Sequence, residues 1–162
     1  MNEKFEKYQL LLTAMLVGAN IFLVAANFFL WRTTREAVQE ARRASQGILV
    51  AQLNKDFFFN ERMYRVRKAI ESKKPLLKSH RGEFIEQDIE DYIGLLEMVC
   101  GFIKRGIVDF DLADDNFGGY VEEASTTKEI RDYISDLRRE MNNDELYSGF
   151  EEWGKGSCKK KK

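Results

Sequence analysis

One proline, Pro75, and one histidine, His80, stand in 162 residues. With so little proline, long stretches carry no obligatory helix stop, and no Gly-rich loop or strand-like alternation bounded by turn residues breaks them. The signatures of a P-loop, a Gly-x-Ser-x-Gly elbow and a dinucleotide fingerprint are all missing, so the chain has no sequence support for nucleotide chemistry or acyl transfer. Cys100 and Cys158 are the only cysteines. One lies on an apolar helical face and the other in a lysine tail, which indicates neither a disulfide framework nor a zinc motif. What is present excludes a disordered chain: 33% charged residues are accompanied by 12% aromatic ones, so the soluble part has the means to build a core.

From Leu10 to Trp31 there is no charged residue. At about 1.5 Å per residue these 22 positions reach roughly 33 Å as a helix, slightly more than a hydrocarbon core of about 30 Å. Tyr8 and Trp31 stand at the ends, where amphipathic rings favour the headgroup level, and Arg32 closes the run. The reading is a single-pass transmembrane helix at 10–31, flanked by 1–9. A cleaved signal peptide is the rival, with Val24, Ala25 and Ala26 as small residues near a cleavage site. Against it, the apolar run continues through Phe28, Phe29 and Leu30.

Lys4 and Lys7 precede the span, and Arg32, Arg35, Arg42 and Arg43 follow it. This excess favours a cytoplasmic soluble domain at an inner membrane, in which both thiols are reduced. The same four arginines are candidate contacts for anionic lipid. Within the span, Thr13, Asn20 and Asn27 recur every seven residues and form one polar stripe. Ala14 and Gly18 make a small-x-x-x-small pair, and together these five residues are the candidate helix-association surface. Ala37, Ala41, Ala44 and Ile48 are candidates to extend that seam as a weak coiled coil.

The fold class expected is all-α: the span continues into a long helix, through a juxtamembrane linker at 32–56, and a small helical bundle follows at 57–152 before a polybasic tail at 153–162. Good helix formers dominate Arg35 to Lys74, with Gly47 as a candidate bend and Pro75 as the stop. Phe59, Met63, Val66 and Ile70 are spaced to face the core. Ile85, Ile89, Tyr92, Ile93, Leu96, Val99, Cys100 and Ile103 form the clearest apolar stripe, ended by Gly106. Asp109 is a candidate N-cap for a short helix carrying Phe110, Ala113, Phe117, Val121 and Ala124, interrupted or bent near Gly118 and Gly119. Ser125, Thr126 and Thr127 open a last helix whose stripe is Ile130, Tyr133, Ile134, Leu137 and Met141.

Charge is segregated. Residues 32–81 hold 13 basic and 5 acidic side chains, whereas 82–152 hold 6 basic and 20 acidic. The distal basic residues, such as Arg62, Arg65, Arg67 and Lys68, are expected to face acidic helices of the same domain. A dominant basic face and a recognisable module are both missing, so no nucleic acid is expected as a partner. Asp109, Asp111, Asp114 and Asp115 invite a calcium-loop reading, but Ala113 and Asn116 occupy positions that such a loop gives to a ligand and a glycine. His80 reads as a surface histidine without a carboxylate partner, and Cys100 as inert packing. Cys158 before Lys159–Lys162 is a candidate acylation site or part of a solvated tail. No cofactor or metal is expected.

From about Phe57 to Phe150, the order of Phe58, Asn60, Glu61 and Arg62, then Glu97, Val99, Cys100, Gly106, Ile107, Asp109, Phe117 and Gly118, resembles a group of uncharacterised bacterial proteins. These share a domain of unknown function and often carry one N-terminal span. The resemblance implies a helical fold and a bacterial inner membrane, and no activity. The function expected is a membrane-anchored interaction module, a scaffold, sensor or accessory subunit with a protein partner or a second copy of itself. The alternatives are a small membrane-tethered enzyme or metal-dependent effector, and a juxtamembrane lipid or nucleic-acid binder.

Overall fold

The computed structural model describes the backbone of residues 2–158 and the side chains of Lys7, Tyr8 and residues 10–158. Lys4 and the tail Lys159–Lys162, used above for charge and lipid readings, lie outside those described side chains. The fold is all-α, with a long N-terminal apolar helix followed by a small helical bundle. Its helices are α1 (Asn2–Phe58), α2 (Glu61–Glu71), α3 (Glu86–Lys104), α4 (Phe110–Thr126), α5 (Lys128–Met141) and α6 (Ser148–Gly154). A single 3-10 turn lies at Lys78–His80, and Leu77 and Phe84 form an isolated β-bridge.

The chain divides into two compact units, Met1–Ser45 and Gln46–Lys162. The first holds the part of α1 up to Ser45, and α1 continues into the second. This helix is long and apolar enough to cross a membrane, a property that a signal sequence at this place shares, and none of its apolar window is buried. The helix is not interrupted at Gly47, and α1 continues to Phe58.

The second unit is a lobe whose core starts on the last turns of α1, with Val50, Leu53 and Phe57 buried. The chain then breaks at 59–60. Asn60 caps α2, its side chain accepting from the Arg62 and Met63 N–H groups. This break resets the helical phase, so Phe59 is 84% exposed rather than facing the core, while Met63, Val66 and Ile70 are buried as their spacing requires. Helix α3 buries Ile89, Tyr92, Ile93, Leu96, Val99, Cys100 and Ile103. Ile85 is its exposed N-cap residue, and its N–H donates to Asp88 at 3.1 Å. Gly106, with φ of 66°, turns the chain out of α3 through the left-handed region that glycine favours.

Asp109 caps α4 as expected, accepting from Asp111 and Leu112 N–H. The expected interruption does not occur: α4 runs unbroken past Gly118 and Gly119. A Cβ on Gly118 would come within 2.5 Å of Asp114 Oδ1, so the close approach of that carboxylate requires a glycine there. Helix α5 buries Ile130 and Ile134. Tyr133 and Leu137 are only half-buried and Met141 is exposed, because α5 meets the lobe along one narrow stripe.

The larger surprise is α6, packed on α3 and α4 with Phe150 and Trp153 buried. Beyond it, Cys158 is fully buried and disulfide-bonded to Cys100, with 6.1 Å between the Cα atoms. This corrects the reading of Cys100 as an unbonded packing residue and of Cys158 as a residue of a solvated, acylatable tail. The two are 58 positions apart, and only the tertiary return of the chain to α3 joins them.

Candidate functional site

Among the five candidate association residues on α1, Thr13, Ala14, Gly18, Asn20 and Asn27, all are exposed. At about 100° per residue, Thr13, Asn20 and Asn27 lie within roughly 40° of one another. Ala14 and Gly18 lie about 140° round the helix from that row, so one helix–helix seam takes one set or the other. The Asn20 and Asn27 amides make no side-chain hydrogen bond to their own helix among the described residues, in contrast to Thr33, whose hydroxyl donates to the Phe29 and Leu30 carbonyls at 3.1 Å. In hydrocarbon an amide with no partner is costly.

The four arginines that follow the charge-free run share a face. Arg32, Arg35, Arg42 and Arg43 fall within an arc of about 100°, and Ala37, Ala41 and Ala44 occupy the opposite side. Arg32 pairs with Glu36 at 3.2 Å. The Arg35 guanidinium lies 5.4 Å from the Trp31 ring, a cation–π contact at the end of the charge-free run. This stripe can meet anionic headgroups with several guanidinium groups at once.

In the lobe, the distal basic residues do meet acidic ones. Arg62 pairs with Asp88 at 3.1 Å and Asp91 at 3.4 Å, Arg65 with Glu83, and Lys68 with Glu71 at 2.6 Å. Arg67 behaves differently. It is 8% exposed, and the rings of Phe57, Phe58, Tyr64 and Tyr120 surround its guanidinium at 4.8 to 5.8 Å. Glu71, at 3.8 Å, is its ion-pair partner, and Nη1 has no hydrogen bond. The aromatic faces supply the electrostatic attraction that a buried cation needs. The Phe57-Phe58-Phe59 run was the available sequence signal for this box, but the contribution of Tyr120 from α4 was not legible.

His80 has a carboxylate partner after all. Its Nδ1 lies 3.1 Å from Glu129 Oε1, and Glu129 also accepts from the Leu76 and Leu77 N–H groups at 2.8 Å. Partial burial pushes the Glu129 pKa up, but the two backbone donors and His80 outweigh it and leave the carboxyl below its ordinary value. Glu129 therefore pins the connection after Pro75 to α5. These residues line an open groove of about 800 Å³, together with Lys73, Lys74, Lys128, Glu123 and Asp132. It holds charges of both signs, and Thr126 and Thr127 also line it. The Glu129 carboxylate clamps the connection after Pro75 onto α5.

Two residues of the acidic stretch have structural roles. Asp109 caps α4, and Asp114 accepts from the Trp153 indole at 2.8 Å. No group of three or more His, Cys, Asp or Glu side chains converges among the described residues. Burial raises the Tyr133 pKa first, and a hydrogen bond to Glu90 adds to it. That contact ties α5 to α3.

The chain belongs to the family defined by a domain of unknown function, DUF4760, whose model matches residues 14–155. The match begins inside the charge-free run, takes in all of α2 to α6, and ends three positions before Cys158. No curated protein and no solved structure matches the chain.

Proposed function

We propose that this family member is a membrane-anchored helical interaction module, a scaffold, sensor or accessory subunit that holds its lobe at the bilayer and acts by contact. The observation that carries the reading is the combination on one chain of an exposed, charge-free helical run at 10–31 with a folded lobe. Many of the lobe's charged side chains serve caps, clamps and ion pairs, whereas the Asn20 and Asn27 amides of α1 make no side-chain hydrogen bond to their own helix among the described residues. Association through the amide row on α1 satisfies those groups, and the partner is a second copy or another membrane helix.

The arginine stripe supports an inner-membrane anchor with the lobe in the cytoplasm and anionic lipid at Arg32, Arg35, Arg42 and Arg43. A cytoplasmic lobe keeps its thiols reduced, so the Cys100–Cys158 bond is then the oxidised form of a pair that the fold holds ready.

The test replaces residues 10–31 by an unrelated span of the same length, while a second set of variants changes His80→Ala and, together, Asp111→Asn and Asp115→Asn. An interaction module loses its membrane complexes with the exchanged span and keeps its cellular role with the lobe variants. Loss of that role in a folded lobe variant, with complexes intact, contradicts the proposal and favours a catalytic or metal-dependent effector.

A further inference from the structure

The first unit presents a longer pattern than the polar row. Assigning Thr13 to position a of a heptad puts Thr13, Asn20, Asn27, Thr34 and Ala41 at a, and Leu16, Leu23, Leu30, Ala37 and Ala44 at d. The pattern holds for 32 residues without a stutter, about 48 Å of helix. α1 is continuous across it, and every one of these ten side chains is exposed.

We infer that α1 pairs with α1 of a second copy of this chain as a parallel, in-register, left-handed two-stranded coil that begins inside the membrane and continues past its surface. The inference rests on the association reading above and names its partner and geometry.

Three observations identify the occupant as a second copy. Asn at a with Leu at d is the combination that specifies parallel dimers, because an a-position amide meets its own equivalent across a two-fold axis and both donors and acceptors are used. Asn20 and Asn27 have no side-chain partner on their own helix, and an in-register copy supplies one for each at the same depth. Charge is the third. The flanking e and g positions hold Val17, Val24, Trp31, Val38 and Ser45, and Ala19, Ala26, Thr33 and Glu40. None of these is basic, so no cation faces a like charge across the seam.

All four arginines fall at b, c or f: Arg35 and Arg42 at b, Arg43 at c and Arg32 at f. The coil therefore turns both arginine stripes outward, where lipid headgroups lie. Ala14 and Gly18 fall at b and f, outside the seam. The coil and a small-x-x-x-small crossing are thus mutually exclusive and can be told apart.

The experiment uses the full chain with Cys100→Ser and Cys158→Ser in lipid nanodiscs or vesicles. Single cysteines are introduced along α1 and same-site crosslinking is read. Strong crosslinks are expected for Leu16→Cys, Leu23→Cys and Ala37→Cys, and weak ones for Gly18→Cys, Ile21→Cys and Phe28→Cys. Energy transfer between labelled copies of otherwise unaltered chain runs in parallel, and Asn20→Leu with Asn27→Leu should weaken it by about threefold or more. Transfer with crosslinks peaking at Ala14→Cys and Gly18→Cys overturns the coil and leaves association standing. Transfer with no same-site crosslink overturns the parallel register. No transfer at all overturns both the coil and self-association.

Discussion

Asp114 Oδ1 accepts a hydrogen bond from Trp153 Nε1 at 2.8 Å, and the same oxygen lies 2.5 Å from where a Cβ of Gly118 would stand. One carboxylate thus couples α4 to α6 and forbids a side chain one turn along its own helix. Gly119, the next residue, has nothing within 4 Å of its Cβ position.

The two glycines should respond oppositely to the same change. Alanine in a helix interior gains about 1 kcal/mol over glycine, so Gly119→Ala should raise stability by roughly 0.5–1 kcal/mol. Gly118→Ala should lower it by about 1–2 kcal/mol, because Asp114 must leave Trp153 and the indole N–H is left unpaired. Urea midpoints of the two variants check this, and equal gains at both positions would show that Asp114 moves aside freely.

Glu129 gives a pH-dependent expectation. Its carboxyl is held below the ordinary glutamate value of about 4.3, so its contribution is complete above that value and is lost as pH falls through the depressed one. Glu129→Gln should cost about 1–3 kcal/mol at pH 7, since one of the Leu76 and Leu77 donors loses its acceptor. The gap between wild type and variant should narrow below about pH 4. A gap that stays constant with pH would remove the carboxylate's charge from the explanation.

The Cys100–Cys158 pair is checked by its thiol state. In growing cells with a cytoplasmic lobe, both thiols should be captured by alkylation after acid quenching, and mild oxidation of purified protein should bond them. Closing this loop stabilises the lobe by about 4 kcal/mol in the chain-entropy account, which denaturation with and without a dithiol reductant measures. A pair that is fully bonded in growing cells would put the lobe on the oxidising side of the membrane instead.

Much of the lobe was legible because its signals are local. The α3 stripe from Ile89 to Ile103, the Asp109 cap and the opening of α5 after Thr127 each follow from residues within a few turns. Misplaced features involve distant partners or a reset phase. Phe59 was assigned to the core because the break before Asn60 was missed, and with it the register. Gly118 was read as a bend because nothing near it in sequence reveals Trp153. His80 with Glu129, Arg67 with Tyr120 and Cys100 with Cys158 all join residues about fifty or more apart. Helix α6 was missed since seven residues with two glycines carry little periodicity, and its place is set by others. Glu97 accepts from the Gly149 and Phe150 N–H groups, and Arg138 pairs with Glu151 at 3.1 Å.

The central claim is that α1 stays on the chain as a membrane anchor. The most direct measurement is the intact mass and N-terminal sequence of the protein recovered from membranes washed with alkaline carbonate. The account expects a chain that resists the wash and retains Leu10 to Trp31. A soluble chain whose N-terminus lies near Asn27 would mean that α1 is a cleaved signal, and the anchor and the coil would fall together.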